Sequence, residues 1–307
     1  MANQTMIDIA TSIGGVQPAL IDALTGANGS AAFRKLPMKP VIGMIEQFIQ
    51  RNVRPTVAFR NFAGKITPSK TGKTPVSEGV FLLSGAAELD AQKVESAADG
   101  EAEREQEIQS FLEAMGFKLS YSMFYGSNKL DGGFDGLLKR IPVGGDTYET
   151  AAASNETVSI YALKLGPTAF QGIYNPGPVG EIIEAKDYGR ISDKDSNGLV
   201  SEVYRTTFNA KFGLAQYHPK AAGRLGRCDG THKPTVTLMN SLFNKMGWKP
   251  DILITNMLGA GWLSELKQAV MTMSPSDKDF DITMSDYQGI PIIVDSAISS
   301  DENGITV

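Results

Sequence analysis

The segment Asp193–Gly198 carries the first half of a calcium-binding loop, with the pattern D-x-D-x-N-G. Its two Asp and one Asn would offer short oxygen ligands to a hard cation, and the glycine would permit the sharp bend. A complete loop has a bidentate Glu at the twelfth position, where this chain has Tyr204. Because Asp, Asn and Gly also favour ordinary turns, we interpret the segment as a polar hairpin turn and keep calcium binding as an alternative.

Three residues could form a metal site or a nucleophile pair. His218 and His232 are the histidines of the chain, and Cys228 is its single cysteine. The Cys-x3-His spacing could hold a metal, and a Cys/His pair could act as nucleophile and base. A structural metal site needs a second close pair of ligands, which the sequence lacks. We therefore interpret all three as structural residues, with a metal-dependent hydrolase as an alternative.

Two further segments contain residue types used in catalysis without the rest of a motif. Gly72-Lys73-Thr74 is like the end of a phosphate-binding loop, but Thr67 stands where that loop needs its first glycine. Asp131 and Asp135 could act as an acid–base pair, although a flexible loop before a short helix is the simpler interpretation. The sequence therefore predicts no enzyme. No catalytic, cofactor-binding or metal-binding residue is assigned.

The composition is that of a folded protein without a basic surface. The chain has 307 residues, of which 42% are hydrophobic, and its net charge is -5, which argues against a dedicated nucleic-acid reader. The 32 glycines and 15 prolines predict many turns and loops. No apolar run is long enough to cross a bilayer, and the opening residues lack the pattern of a secretory signal. We expect synthesis in the cytoplasm and no contact with a membrane.

The first 90 residues are predicted to have little core of their own. Residues 1–50 form a predicted arm with weak helices over Val16–Leu24 and Val41–Gln50. Residues 51–90 form a predicted hairpin, with strands over Val53–Phe62 and Val80–Leu83 and a polar, lysine-bearing tip over Gly64–Gly79. The exposed edges of such a hairpin invite pairing, so we expect a neighbouring subunit to cover it.

The clearest element is a helix over residues 101–125, about 37 Å long. Glutamates crowd its first turns, where the helix dipole favours negative charge, and Gly126 is its expected end. It carries one apolar stripe, formed by Ile108, Phe111, Leu112, Met115 and Leu119. Strands follow, with Thr157–Leu165 predicted to pair with Phe170–Tyr174. Further strands are predicted over Glu181–Ala185, Val200–Phe208, Gly213–Tyr217, Asp251–Thr255 and Gly289–Val294, and helices over Pro234–Met246 and Leu258–Met271.

Several segments together, in this order, resemble the major capsid proteins of tailed bacteriophages. The segments are Arg54–Asn61, the helix ending in Met-Phe-Tyr-Gly126, Phe134–Ile141, Thr157–Pro176, Phe212–Leu225, Lys249–Asn256 and Tyr287–Ile292. The resemblance implies an α+β shell fold with an N-terminal arm (1–50), an extended hairpin loop (51–90), and a spine helix with the following loop of a peripheral domain (91–156). Residues 157–307 would supply the mixed sheet and helices of the peripheral and axial domains.

The same resemblance implies a function and partners. The chain would assemble with itself, as pentamers and hexamers, into an icosahedral shell that encloses double-stranded DNA without sequence specificity. Scaffolding and portal proteins, and in some shells a cement protein, would be further partners. The protein would be part of the virion and assemble in the host cytoplasm. Some relatives join subunits through a Lys–Asn bond, but no motif transfers that chemistry to Lys65, Lys70 or Lys73. A bacterial protein-filled compartment shell is the alternative that keeps the same fold.

Overall fold

A computed structural model describes residues 4–25, 31–62, 64–128, 132–155, 157–177, 180–194, 200–270, 286–303 and 305. Helices and strands are mixed along these ranges, which confirms the α+β class. The helices are α1 (Met6–Ile13), α2 (Gln17–Leu24), α3 (Ala31–Lys35), α4 (Ala91–Ser96), α5 (Gly100–Tyr125), α6 (Leu137–Arg140), α7 (Val236–Met246) and α8 (Met257–Val270). The described helices include none long and apolar enough to cross a membrane.

The strands form two large sheets and a separate two-stranded ribbon. They are β1 (Met38–Pro40), β2 (Ile45–Val53), β3 (Gly72–Gly79), β4 (Phe81–Asp90), β5 (Tyr148–Thr150), β6 (Val158–Leu163), β7 (Phe170–Tyr174), β8 (Ile183–Lys194), β9 (Val200–Gln216), β10 (Ala222–Cys228), β11 (Ile252–Thr255), β12 (Asp286–Tyr287) and β13 (Ile290–Val294). One sheet has the order β1-β7-β9-β4, with β8 also paired to β9, and the other has the order β12-β13-β11-β6-β10-β5.

The long helix α5 confirms the helix predicted over residues 101–125. The carboxylate of Asp99 caps its first turn by accepting from the amide of Ala102 (3.1 Å), and Gly126 follows its last residue. Its 26 residues make a rod about 39 Å long. The predicted apolar stripe faces the main core, where the buried side chains of the helix include Leu112, Met115, Leu119 and Met123.

The predicted pairing of Thr157–Leu165 with Phe170–Tyr174 is wrong. Strand β6 pairs with β10 and β11, whereas β7 pairs with β1 and β9 in the other sheet. Between the two segments the described contact is an isolated bridge from Leu165 to Phe170. Every residue of β6 and β7 is buried, so neither strand shows the alternation that would have indicated its partner.

The hairpin is real, but its strands lie elsewhere than predicted. The predicted helix over Val41–Gln50 is wrong, because β2 occupies most of this segment and pairs antiparallel with β3. The predicted strand over Val53–Phe62 is also wrong beyond Val53, since residues 54–62 have no regular structure. Val80–Leu83 does not return to the hairpin, because Val80 ends it and β4 then pairs with β9. The hairpin proper is therefore β2, the connecting segment 54–71, and β3.

The N-terminal residues contribute strongly to the core, which corrects the expectation of an arm with little core of its own. Helices α1 to α3 insert fully buried side chains into the same cluster as α5 and β9. These side chains are Met6, Ile21, Leu24, Phe33 and Leu36. The predicted helix over Val16–Leu24 is confirmed by α2. The segment 5–25 is thus packed on its own subunit, because burying several large apolar side chains stabilises that arrangement.

Gln17 fastens this N-terminal segment to the five-stranded sheet. Its side-chain amide donates to the carbonyl of Ile183 (2.8 Å) and its oxygen accepts from the amides of Ile182 and Ile183 (both 3.3 Å). Replacing Gln17 with Ala should cost about 1–3 kcal/mol of unfolding free energy, because these buried backbone groups would lose their partners. Urea unfolding measures the change. The exposed Gln109 is the matched control, and an equal effect of Gln109→Ala would contradict the assignment.

A buried charged network joins the C-terminal residues to the centre of the fold. The Arg224 guanidinium donates to Glu302 Oε2 (2.7 Å), and both side chains are almost completely buried. Ser159 donates to the same oxygen (2.5 Å), and the hydroxyls of Tyr125 and Tyr161 donate to Oε1 (2.8 and 3.3 Å). Burial, followed by the Glu302 charge, raises the pKa of Tyr161, so its phenol stays protonated as a donor. The network connects α5, β6, β10 and the last described residues.

Candidate functional site

The described part of the predicted calcium loop is engaged in contacts within the sheet. Asp193 lies in β8, and its carboxylate is 3.4 Å from Nη2 of Arg205 on β9. Tyr204, at the twelfth position, has its ring 4.7 Å from the Arg104 guanidinium of α5. Residues 195–198, which complete the pattern, lie outside the described residues. In the described part of the loop, Asp193 therefore forms an ion pair with Arg205 of the same chain.

The two histidines and the cysteine have separate surroundings. The ring of His218 lies 4.6 Å from the Trp248 ring, and His232 Nδ1 lies 3.0 Å from Asp229 Oδ1. Cys228 is fully buried, and burial, followed by the Glu302 charge, raises the pKa of its thiol to about 12. A thiol with that pKa is protonated at neutral pH and is a poor nucleophile. Across the described ranges, no three His, Cys, Asp or Glu side chains are grouped to hold a metal ion.

The remaining candidates have structural partners. Lys73 and Thr74 lie in strand β3 of the hairpin, so they do not precede a helix as a phosphate-binding loop requires. Asp131 lies outside the described residues. Asp135 accepts from Lys139 Nζ (2.6 Å) and from the amide of Asn128 (3.0 Å). Burial opposes ionisation of Asp135, but these two hydrogen bonds outweigh it and lower its pKa.

The surface that stands out is the hairpin, because it exposes large apolar side chains along its length. Phe59 and Phe62 are fully exposed, at 110% and 109% of the reference area, and Val57 is 89% exposed. The strands add to this surface. Exposed apolar side chains on or beside them are Ile42, Met44, Ile45, Ile49 and Val53, and Ile66 lies in the segment that connects them. Such a concentration of exposed apolar area in one structure is typical of a protein–protein interface.

The second strand of the hairpin, β3, is held at its base by Arg140 of α6. Its guanidinium donates to both carboxylate oxygens of Glu78 on β3, at 2.5 and 2.8 Å. Its Nε donates to the carbonyl of Asp135 (2.7 Å). The two charged side chains are only 10% and 15% exposed, so this bidentate pair is shielded from water. Arg140 thus fixes where β3 rejoins the body of the protein.

The first strand of the hairpin, β2, is held against the C-terminal end of β9. Glu46 of β2 forms an ion pair with Lys39 and accepts from the Tyr217 hydroxyl (3.2 Å). The ring of Phe48 lies 4.4 Å from that of Tyr217, and the Gln50 side chain donates to the carbonyl of Gln216 (2.6 Å). The base of the hairpin is therefore rigidly attached, while no described residue of its connecting segment is buried.

Arginines tie α4 and the start of α5 to the opposite end of β9. Arg104 donates to Asp187 of β8 (2.7 Å) and to Glu101 of its own helix (3.2 Å). Arg190 of β8 pairs with Glu202 and with Glu95. Burial opposes the charge of Asp187, but the amide of Gly189 and the Arg104 guanidinium outweigh it and lower the pKa of Asp187. The acidic beginning of the long helix is thus held against the β8–β9 ribbon.

The sequence matches the family described as Major capsid protein GP7 over residues 43–306, which is well over half of the chain. The chain belongs to this family of major capsid proteins. Its fold is similar to a chain in the cryo-electron microscopy structure of bacteriophage Epsilon15, with a TM-score of 0.63, 17% sequence identity and 88% of each chain covered. The predicted tailed-phage capsid fold is therefore confirmed. No protein with curated annotation matches the sequence.

Two other solved structures are more distant. A procapsid chain of bacteriophage JBD30 gives a TM-score of 0.49 at 10% identity, over 94% of this chain and 97% of that one. A chain of the SrpI encapsulin complex from Synechococcus elongatus gives 0.44 at 11% identity, over 64% of this chain and 86% of that one. Because both TM-scores are below 0.5, neither similarity is used to assign the family. As a major capsid protein, the chain forms a capsid shell and is a structural component of the virion.

The residues that hold the capsid protein's hairpin could not be found by sequence reasoning. Glu78 and Arg140 are 62 positions apart, and no local pattern marks either of them as half of a shielded pair. The same is true of the buried network, where Arg224 and Glu302 are 78 positions apart. The signal that could have indicated the hairpin surface is the group Val57, Phe59 and Phe62. A strand would place Val57 and Phe59 on one face and Phe62 on the other, whereas all three are exposed.

Replacing Arg140 with Ala should release β3 from the body of the capsid protein. We expect the unfolding free energy to fall by about 1.5–3 kcal/mol, because shielded hydrogen bonds between charged groups are lost. Hydrogen exchange of the β3 amides should become faster, while exchange in α5 should change little. Lys233→Ala is the control, since its pair with Glu265 is exposed and contributes under about 1 kcal/mol. Unchanged exchange in β3 would contradict the role of Arg140.

Proposed function

We propose that copies of this capsid protein form pentamers and hexamers that close into an icosahedral shell around double-stranded DNA, with each hairpin lying over the long helix of a neighbour. The exposed hairpin is the observation that carries this proposal. Fully burying a large apolar side chain contributes about 1.5–3 kcal/mol, so covering Val57, Phe59 and Phe62 alone would strongly favour association. The rigid base fixes where the connecting segment leaves the subunit, which reduces the entropy lost on binding.

The two sheets fit a division into two functional parts. We propose that the five-stranded sheet and α5 form the peripheral domain, and that the six-stranded sheet with α7 and α8 forms the axial domain. A second core supports the axial unit, where Leu225, Leu253 and Ile290 of the sheet pack with Met239 of α7 and Leu263 of α8. Residues 4–25 and 31–41 are packed on the subunit, and we propose that any contact of the first residues with neighbours comes in addition to that packing.

The charge of the chain suggests how DNA is held. With a net charge of -5, the subunit repels a polyanion overall, so we propose that DNA is retained by enclosure and contacted without sequence specificity. A separate scaffolding protein, a portal protein and in some shells a cement protein would complete the particle, which would assemble in the host cytoplasm. We propose no enzymatic role, and the inert, buried thiol of Cys228 supports this view.

Negative-stain electron microscopy of the protein expressed alone, with light scattering, tests the proposal. We expect closed shells, sheets or tubes built from rings of five and six subunits. Purified particles should contain no enclosed cargo enzyme. A protein that stays monomeric at high concentration, with and without a co-expressed scaffolding protein, would overturn the proposal. Shells that enclose a specific host enzyme would favour the compartment-shell alternative.

A further inference from the structure

We propose that residues 54–73, here called the basic segment, dock on the acidic amino-terminal half of α5 in the neighbouring copy. This inference rests on the proposed contact between the hairpin and a neighbour's long helix. It adds which part of the helix is recognised and by what chemistry. The partner is a second copy of this chain, and the recognition combines opposite charges with exposed aromatic side chains.

The basic segment carries positive charge that the subunit itself does not neutralise. It contains five Lys or Arg and no Asp or Glu. Among the described residues, Lys65, Lys70 and Lys73 form no ion pair, and the guanidinium of Arg60 donates only to the carbonyl of Gly64 (3.0 Å). The segment around these cations is exposed, with Phe59 and Phe62 between them. It therefore presents a positive and apolar surface to another molecule.

The start of α5 carries the complementary charge. Residues 99–113 contain six Asp or Glu and one Arg. Glu105, Glu107 and Glu113 are exposed and form no ion pair within the described ranges. Glu105 and Glu113 are eight positions apart and lie near one face, on which Phe117 follows four positions later with 44% of its area exposed. The helix thus offers carboxylates followed by an aromatic ring.

The two surfaces of one copy are attached far apart. The hairpin base contacts Gln216 and Tyr217, whereas the start of α5 contacts Tyr204 through Arg104. Twelve residues of an extended strand separate Tyr204 from Gln216, which corresponds to about 40 Å. The basic segment is therefore placed away from the acidic face of its own subunit, and that face remains available to a second copy.

The charge pattern favours a protein partner over nucleic acid. A basic segment alone could contact the DNA backbone, but the exposed carboxylates of α5 would then stay without a partner, and they would repel DNA. Exposed ion pairs contribute little individually, so we expect the charges to act together, mainly by speeding and orienting association. The consequence is that assembly should depend on ionic strength.

Charge reversal on the full-length protein tests the inference. The triple variant Lys65→Glu, Lys70→Glu, Lys73→Glu should assemble about tenfold or more slowly at low ionic strength, followed by light scattering. Adding Glu105→Lys and Glu113→Lys, which lie near one face of α5, should restore much of the rate. The control Lys35→Glu, Lys233→Glu, Lys249→Glu makes the same change in net charge on exposed lysines elsewhere and should assemble normally. Circular dichroism verifies folding of each variant.

A measurement without substitutions keeps the test decisive if a variant folds poorly. The wild-type rate of assembly should fall as salt rises from about 50 mM to about 500 mM, because screening weakens the attraction. A wild-type rate that does not fall with salt, or normal assembly of the folded basic-segment variant, would overturn the inference. If that variant assembles normally but retains less DNA, the basic segment serves nucleic acid instead. After either of these two outcomes, loss of shells on removing residues 54–71 would still support the proposed contact between the hairpin and a neighbouring copy.

Discussion

Replacing Glu302 with Ala should lower the free energy of unfolding by about 3–5 kcal/mol, because the buried guanidinium of Arg224 would lose its carboxylate. The carboxylate accepts hydrogen bonds from Arg224, Ser159, Tyr125 and Tyr161, all with buried side chains. Removing it affects four groups from α5, β6 and β10 at once. Since a domain is stable by only about 5–15 kcal/mol, this loss should leave little folded subunit to assemble.

Urea unfolding of the unassembled protein at low concentration measures the effect of Glu302→Ala. Glu302→Gln should be milder, because an amide keeps the shape and an acceptor oxygen for the tyrosine hydroxyls while it removes the charge. The control Glu265→Ala breaks an exposed pair with Lys233 and should cost under about 1 kcal/mol. If Glu302→Ala and Glu265→Ala destabilise the protein equally, the network does not hold the C-terminal residues in place.

Removing the connecting segment of the hairpin should abolish closed shells and leave the subunit folded. Val53 and Gly72 face each other where β2 and β3 end, so residues 54–71 can be replaced by Asn-Gly, which favours the tight turn of a two-residue hairpin. Stability should change by less than about 1 kcal/mol, because no described residue of the segment is buried. Assembly should be lost because the exposed apolar side chains that would cover a neighbour are gone.

Two measurements distinguish loss of folding from loss of assembly in this variant. Circular dichroism and urea unfolding should match the intact protein, whereas electron microscopy should show no shells. The double variant Phe59→Ser, Phe62→Ser keeps the length of the segment and should also assemble poorly, because it removes apolar area that association would bury. Normal shells from the shortened protein would contradict the role of the hairpin.

The long helix could be predicted because its sequence meets every local requirement. Its apolar residues recur on one face, its first turn is acidic, and a glycine follows its end. The same reasoning failed for β2, where Val41, Met44, Ile45, Phe48 and Ile49 have helical spacing although the segment forms a strand from Ile45 onward. Ile45 and Ile49 are exposed at 58% and 62%, so their spacing reflects no core of this subunit.

The candidate site could be predicted only in outline. A lysine-bearing hairpin that its own subunit does not cover followed from composition, because a segment with so few apolar residues at its tip cannot bury it. Its attachment depends on pairs such as Glu78–Arg140 that join distant positions through tertiary structure. The packing of residues 4–25 was missed for a related reason, since helices of only eight residues, such as α1 and α2, depend on packing against a sheet and α5 for their stability.

A cryo-electron microscopy reconstruction of the assembled shell tests the central claim most directly. We predict that the density of residues 54–71 crosses from its own subunit to the adjacent one and lies over the amino-terminal half of α5 there. Phe59 and Phe62 should be covered by that neighbour. A reconstruction in which the hairpin folds back on its own subunit, or projects from the shell without contact, would contradict the account.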